Sequence, residues 1–386
     1  MDRFRPATHQ RKDTSSLGDE SVHTLRLLAV NHTGLHSGAE VVLLRMLRGA
    51  RRRGWAVSAA APDGPLAGRL AADGVATRRL PELKLPGGPR ALAALAVAVR
   101  SLIAAGRLRR AGRHCDLVLA NGLLALPALR AARAAGMRAP VVWLVHDIVR
   151  RPDWLAVLTL CRPAIALAVA PSEAAARPLR ERGITVRVVR NGTPWPVLPR
   201  RPRPPASRPV IGTTALLTSW KGQDVLLEAV ARIPRPDLAV ELIGGSFPKD
   251  GAYLQRLRRR AGRQDLAGRV RFLGQVDDPL ERMRDWTLAV LPSVDPETAP
   301  LAVLEAMSLG LPMVITGHGG GPEVLGGAGL LVPPGDPEAL AQAIRRLLDD
   351  PALRLACEAA GPRAIAAGLT LDAQEQALLD VLAGQG

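Results

Sequence analysis

The sequence predicts an α/β chain built from two doubly wound parallel-sheet domains. Two observations carry this. From Leu25 onward, short apolar runs alternate with stretches of helical periodicity, the βαβ rhythm of a parallel sheet. That rhythm breaks at Pro194–Pro209 and restarts at Val210. The 386 residues suffice for two such domains, and a hydrophobic content of 47% is ample for two cores.

Taken in order, residues 1–24 are polar and charged and read as a disordered leader with no signal peptide. The first domain, 25–193, opens with a strand at Leu25–Val30, a loop at His32–Gly38 and a helix at Ala39–Arg53 carrying Val42, Leu43, Met46 and Leu47. Further strands are expected at Trp55–Ala60, Val75–Leu80, Asp116–Ala120, Val141–Val145, Ile165–Ala170 and Val186–Val189. Residues 194–209, PWPVLPRRPRPPASRP, hold seven prolines and four arginines and read as a linker. The second domain, 210–368, repeats the pattern. Its strands are Val210–Ala215, Leu238–Ile243, Val270–Leu273, Leu288–Leu291, Met313–Thr316 and the short Leu330–Val332. Its helices are Lys221–Ile233, Ala252–Gln264, Pro279–Trp286, Pro300–Leu309 and Pro337–Ala366, the last broken near Pro351. A final helix, Leu371–Leu382, lies in residues 369–386.

Composition narrows the function classes. The net charge of +17 comes almost wholly from arginine, since lysine occurs only at positions 12, 84, 221 and 249. Such a balance suits an anionic membrane surface, nucleic acid or anionic substrates. Aromatics are only 3%, which argues against stacking on nucleic-acid bases. Cys115, Cys161 and Cys357 lack metal or disulfide spacing and are expected as free thiols in a reducing, cytoplasmic compartment. The longest apolar run, Ala91–Val99, is too short to span a bilayer.

The chemistry concentrates in Pro296–Thr316, PETAPLAVLEAMSLGLPMVIT. Eight helical steps would leave Glu297 and Glu305 roughly 80° apart, so they do not share one narrow stripe. Glu297 is therefore placed on a loop, with a helix starting at Pro300 as its first residue. Glu305 then lies one and a half turns in, and Gly310-Leu311-Pro312 stops the helix. Two carboxylates thus flank a helix N-terminus, which favours anions.

This Glu-x7-Glu, followed by Ala306-Met307, Gly310, Pro312 and Val314, resembles the signature of the retaining glycosyltransferases of family 4, also called glycosyl transferases group 1. The resemblance runs from about Leu25 to the end and implies the GT-B fold, two Rossmann-like domains facing a central cleft. It implies a nucleotide-sugar donor (UDP- or GDP-linked) on the second domain, a glycan or lipid-linked acceptor on the first, no cofactor and no metal. The sequence contains no Asp-x-Asp. In such relatives the last helix crosses back onto the first domain.

Residue by residue, Ser219-Trp220-Lys221-Gly222-Gln223-Asp224 looks like the family's Lys-Gly motif, which gives Lys221 the diphosphate leaving group. Glu297 then contacts the donor sugar, Glu305 the ribose, and Val276 and the Leu301 N–H complete the donor side. Leu35-His36-Ser37-Gly38-Ala39-Glu40 resembles the Gly-Ala-Glu loop, whose amides at Ser37 and Gly38 approach phosphate or acceptor. His146-Asp147 ends a strand beside the reacting sugar, on the acceptor side. Asn191-Gly192 resembles the Asn-Gly before the linker and is read as turn chemistry. Gly319–Glu323 resembles a closing segment, with Gly320 and Glu323 its named residues.

Two positions depart from the family pattern. An arginine expected five or six residues before Lys221 is replaced by Leu216 and Ala215, and an aromatic-Gly pair is replaced by Ala299 and Pro300. Proline lacks an N–H, so one amide is lost at the donor site. Retention implies front-face attack, a donor phosphate oxygen taking the acceptor's proton. A GT-B sugar-nucleotide epimerase and a non-enzymatic basic scaffold are the alternatives; both leave the Lys-Gly and Glu-x7-Glu pairing unexplained. A helix from about Arg90, bearing Leu92, Leu95, Val99 and Leu102 with Arg100, Arg107, Arg109, Arg110 and Arg113, has two readings. It binds an anionic membrane on the inner face, with Trp154 and Leu155 in a later segment, or its apolar stripe packs on the sheet.

Overall fold

The computed structural model describes residues 24–83, 90–197, 208–247 and 250–386, the side chains of 90–94 excepted. The expected leader, all but residue 24, and the middle of the expected linker, 198–207, lie outside these.

The first domain holds strands β1 (Arg26–Asn31), β2 (Ala56–Ala61), β3 (Ala76–Arg79), β4 (Leu117–Asn121), β5 (Val141–Leu144), β6 (Ile165–Ala170) and β7 (Val186–Val188). They form one parallel sheet in the order β3-β2-β1-β4-β5-β6-β7. The second holds β8 (Val210–Thr214), β9 (Ala239–Ile243), β10 (Val270–Gly274), β11 (Leu288–Leu291), β12 (Met313–Thr316) and β13 (Gly329–Val332), ordered β10-β9-β8-β11-β12-β13 and again parallel. In each sheet the chain reverses its direction of travel beside the first strand, between β1 and β4 and between β8 and β11. At such a switch point the loops leaving the carboxyl ends separate and open a crevice for ligand.

The first-domain helices are α1 (Gly38–Arg52), α2 (Pro65–Ala72), α3 (Arg90–Ala111), α4 (Leu126–Ala134), α5 (Pro152–Cys161) and α6 (Glu173–Arg180). The rest are α7 (Gln223–Ala231), α8 (Gly251–Ala261), α9 (Pro279–Met283), α10 (Leu301–Ser308), α11 (Gly321–Leu325), α12 (Pro337–Asp349), α13 (Pro351–Ala366) and α14 (Leu371–Ala383). Both faces of each sheet are covered, as all-parallel sheets require. On β1, Leu28 and Val30 face one buried cluster with Leu108, Val118 and Trp143, while Leu27 and Ala29 face another with Leu43, Leu117 and Val142. Leu378, Leu379 and Leu382 of α14 join this second cluster, so the end of the chain packs on α1. Arg53 pairs with Asp380 at 2.9 Å and Arg52 with Glu375 across the same seam.

The second domain buries one charge deliberately compensated. Glu241 on β9 is 2% exposed. It accepts from Arg282 Nε at 2.9 Å and from Trp286 Nε1 at 2.9 Å, and Arg282 makes a second bond to its other oxygen. A buried carboxylate survives only with such partners.

Several expected boundaries differ by one to three residues, and three of them bear on the site. The helix expected from Lys221 starts at Gln223; Ser219–Lys221 is a 3₁₀ turn, separated from α7 by Gly222 in the left-handed region at φ +68°. The helix expected to Trp286 ends at Met283. Pro300 is the N-cap of α10 and not its first residue, because its ψ of 122° is extended. Of the two readings of the α3 stripe, the sheet-packed one is not seen. Its sheet side carries Ser101, Ala104, Ala105 and Leu108, all buried, and these small residues let it lie close to the core. Leu95, Val99, Leu102 and Ile103 point outward at 61%, 48%, 67% and 51% exposure. The stripe therefore does not pack on the sheet; Trp154 and Leu155, by contrast, lean on the core.

Candidate active site between the two sheets

The second sheet's switch point is occupied by an ion pair. Lys221 follows β8 and Glu297 follows β11. Lys221 Nζ lies 2.5 Å from Glu297 Oε2, with both side chains only 12% exposed. Glu297's other oxygen accepts from the Ser293 hydroxyl, so the carboxylate is satisfied at both ends. Lys221 also sits over the Trp220 ring at 4.3 Å. Gly222 makes this possible. A Cβ there would stand 2.0 Å from the Pro292 carbonyl oxygen, and its positive φ lifts Lys221 off α7 and towards the β11 loop.

Beside this pair, α10 presents its N-terminus. The N–H groups of Leu301 and Ala302 make no hydrogen bond among the described residues, as the first turn of a helix dictates. Glu305 is half-buried on the same helix, and its carboxylate has no hydrogen-bond or ion-pair partner among them. Burial pushes that carboxyl up from the usual range, against the pull of Arg45 and with the help of Asp278. Arg45, half-buried on α1 of the first domain, likewise has no hydrogen bond or ion pair among the described residues. Burial lowers its proton affinity while Glu305 raises it. Two opposite charges thus face each other across the domain boundary without touching. Val276, partly buried, lines the loop before Asp278.

The first sheet's switch point is polar and buried. Asn31 and Asn121 end β1 and β4 and are register partners. Asn121 Nδ2 donates to Asn31 Oδ1 at 2.7 Å. Asn31 Nδ2 donates to the Thr33 carbonyl at 2.6 Å and to Glu40 Oε1 at 3.3 Å. His146, after β5, meets Asn121 Oδ1 through Nε2 at 2.6 Å. Burial pushes His146 down to about 4, so it is neutral at pH 7. Glu40 Oε2 takes the Ser37 N–H at 3.0 Å and the Ser37 hydroxyl at 2.6 Å, closing the start of α1. Ser37's side chain is thereby committed to Glu40, whereas open space borders Gly38. Asp147 is exposed beside His146.

Several contacts bring the halves together. The Thr298 hydroxyl donates to the His146 carbonyl at 3.3 Å. Glu323 accepts from the Glu173 and Ala174 N–H groups, both at 2.8 Å, and so caps α6 of the other domain. Gly320 permits this approach, since a Cβ would stand 1.7 Å from the Thr298 carbonyl oxygen and 2.6 Å from Ser172 Oγ. Asn191 and Gly192 do more than turn the chain. Asn191 donates to the Ala299 carbonyl at 3.0 Å and accepts from Gln374, whose other end holds the Gly192 N–H at 3.0 Å. The start of α10, the end of the first domain and α14 meet there.

Of the residues expected from sequence, His146, Asn191, Gly320 and Glu323 make contacts across this boundary. Sequence reading gave no role to Asn31, Asn121, Ser293, Arg45 or the Glu40 side chain. An asparagine closing an apolar strand, as in LLAVN and VLAN, was the available signal for two of them. Among the described residues no cluster of His, Cys, Asp and Glu could hold a metal ion.

Comparison with known proteins agrees with this layout. The family model for Glycosyltransferase Family 4 matches residues 36–194, and that for Glycosyl transferases group 1 matches 208–350. A GDP-mannose-dependent monoacylated alpha-(1-6)-phosphatidylinositol monomannoside mannosyltransferase of Corynebacterium glutamicum is 31% identical over 185 residues, 45% of this chain and 47% of that protein. A D-inositol 3-phosphate glycosyltransferase of Corynebacterium jeikeium is 38% identical over 157 residues, covering 38% and 37%. The chain thus spans half or less of the length of these relatives. Among solved structures, Anabaena Alr3699/HepE in complex with UDP and glucose superposes with a TM-score of 0.79 at 23% identity, over 93% of this chain and 100% of that one. Sucrose-phosphate synthase from Thermosynechococcus elongatus gives 0.76 at 22% identity, over 92% and 98%. The fold is GT-B.

Proposed function

Because the chain belongs to the family 4, group 1 glycosyltransferases, we propose that it moves a sugar, with retention, from a nucleotide diphosphate donor to a glycan or lipid-linked acceptor. The observation that carries this is the Lys221–Glu297 pair at the second switch point, across the boundary from His146. An ammonium has three donors, and one suffices for Glu297. The other two are left for a departing diphosphate, and Lys221 cancels the Glu297 charge that would repel it. The free N–H groups of Leu301 and Ala302 add helix-terminal donors to the same anion.

In this reading the bond from the sugar's anomeric carbon to the diphosphate oxygen breaks while the acceptor oxygen bonds to the same face. The acceptor's proton passes to the leaving phosphate oxygen. Glu305 takes the ribose hydroxyls, Val276 lies along the base, and Gly38 leaves room for phosphate or acceptor. Glu323 and Gly320 close the two halves. Arg45 supplies, from the first domain, a cation at the donor site where Ala215 and Leu216 supply none. A panel of UDP- and GDP-sugars, read by nucleotide release and by thermal shift, tests the reading. No shift and no release with any donor overturns it.

The outward apolar face of α3 favours a membrane-borne acceptor. Leu95, Val99, Leu102 and Ile103 are about half or more exposed, and Arg107 and Arg110 follow on the same exposed side. Fully burying such side chains stabilises by roughly 1.5–3 kcal/mol each, so half of that remains available here. The arginines suit an anionic headgroup layer. Arg100 is partly spent on the Glu82 carbonyl at 3.4 Å and Arg107 on the Arg79 carbonyl at 2.8 Å. No described helix is long and apolar enough to cross a membrane, so this contact would be peripheral.

A further inference from the structure

The hydrogen bonds at the first switch point have only one consistent direction. The Thr33 carbonyl can only accept, and so can an ionised Glu40 carboxylate. Asn31 must therefore turn its NH2 towards them, at 2.6 and 3.3 Å. Its carbonyl oxygen is then what faces Asn121, which must donate its own NH2, at 2.7 Å. Only the Asn121 carbonyl oxygen remains for His146, 2.6 Å from Nε2, so that nitrogen must carry the proton. All the members are buried or half-buried, and Asn31 and Asn121 are at most 1% exposed, so water does not loosen the order. Nδ1 of His146 has no hydrogen-bond partner among the described residues, and the residue is only half-buried. The charged and titratable neighbours that act on His146 are Glu40 and His32.

We propose that Glu40, Asn31 and Asn121 act as positioning residues that lock His146 in its Nε2–H tautomer, so that Nδ1 meets the sugar as a hydrogen-bond acceptor for one hydroxyl. The hydroxyl half of this rests on the transferase reading above; the tautomer half does not. His146 is thereby a reader of a donor hydroxyl and not a proton donor to the leaving group. The leaving group is stabilised by Lys221 and the α10 amides, and its proton comes from the acceptor hydroxyl.

Two measurements on the full chain decide it. The first labels the seven histidines with ¹⁵N and identifies His146 by its loss in His146→Gln. At pH 7, Nε2 is expected to resonate as a protonated, pyrrole-like nitrogen and Nδ1 as a bare, pyridine-like one. A protonated Nδ1 overturns the proposal. This needs no activity, so if no donor is turned over while Nε2–H is seen, the relay stands and the transferase reading falls. The second replaces donor-sugar hydroxyls one at a time by fluorine, which cannot donate. One position should lose about ten- to a hundredfold in kcat/KM in the wild type, and this sensitivity should vanish in His146→Ala. Equal sensitivity in both proteins overturns the acceptor role. In Asn121→Asp the new carboxylate should move the acid limb of kcat/KM up by about 1–3 pH units. A uniform loss of rate with an unmoved limb would make Asn121 merely structural and overturn its positioning role. If Asn121→Asp fails to fold, the wild-type spectrum still decides.

Discussion

Removing the Glu323 carboxylate should loosen the two domains. Its two oxygens take the first two N–H groups of α6, each at 2.8 Å, while Ser172 caps the third at 3.3 Å. A charged hydrogen bond is worth about 1.5–3 kcal/mol when water is excluded. One of these two is exposed, and water would replace it, so about 1 kcal/mol each is the fitting magnitude. The helix N-terminus adds about 0.3–1 kcal/mol for a negative charge. Glu323→Ala should therefore cost closure about 2–3 kcal/mol, a factor of roughly 30–150 in the closed-to-open ratio. Glu323→Gln keeps one acceptor and should lose about half. Glu323→Lys should exceed both, because it sets a cation against the positive end of α6. The apparent affinity for a nucleotide sugar gripped from both domains should weaken by up to the same factor. Small-angle scattering with and without donor, together with KM, provides the assay. A Glu323→Lys protein with wild-type radius of gyration and wild-type KM would refute the reasoning.

Lys221→Ala should lower turnover by roughly 10²–10³ with the fold intact; unchanged turnover would remove Lys221 from the chemistry. His146 should make stability depend on acid. Burial holds it at about 4 in the fold against an ordinary 6.5. Between those values the unfolded chain binds a proton that the fold refuses, so this contribution is complete above about 6.5 and is lost as pH falls towards 4. Urea titrations of wild type and His146→Gln across that window should diverge on acidification, and parallel curves would contradict the assignment. Glu241→Ala leaves Arg282 and Trp286 without their shared acceptor and should destabilise by about 3–5 kcal/mol; a loss under 1 kcal/mol in denaturant melts would show the network to be idle. Finally, the protein should sediment with anionic vesicles at low salt, and Leu102→Glu with Ile103→Glu should release it. Negligible sedimentation of the wild type with both anionic and neutral vesicles would point to a soluble acceptor.

The architecture was legible because it rests on patterns local in sequence. Apolar runs of four to six residues between helical stretches located the strands of both sheets, and Ile165–Ala170, Leu288–Leu291 and Met313–Thr316 agree to the residue. The misplacements came where a single backbone angle decides. Gly222 at φ +68° and Pro300 at ψ 122° each shift a helix start. Neither angle is written in periodicity, although a glycine after Lys221 is a residue that adopts the left-handed region readily. The face of α3 was left open between two readings for a different reason. Leucines at helical spacing say that a stripe exists, not which side meets the sheet. Here alanines and one leucine take the inner side, because α3 packs closely on its neighbours.

The site was legible one residue at a time but not as partnerships. Lys221 and Glu297 lie 76 residues apart, and only the β8/β11 switch point makes them touch. Asn31 and Asn121, 90 apart, become register partners at the β1/β4 switch point. The two sheets thus solve one problem in two ways. At each crevice the strand ends would leave polar groups facing a ligand. The second sheet meets that need with a compensated charge, Lys221 on Glu297, which can share its remaining donors with an anion. The first meets it with neutral amides whose direction is set by one buried carboxylate, Glu40. A cation there would have drawn the diphosphate towards the acceptor side; a fixed neutral acceptor does not. Arg45 on α1 is a first-domain cation that faces Glu305 rather than His146. In the proposed function, charge recognition therefore belongs to the second sheet and to the rim of α1, and hydroxyl recognition to the Asn31–Asn121–His146 chain.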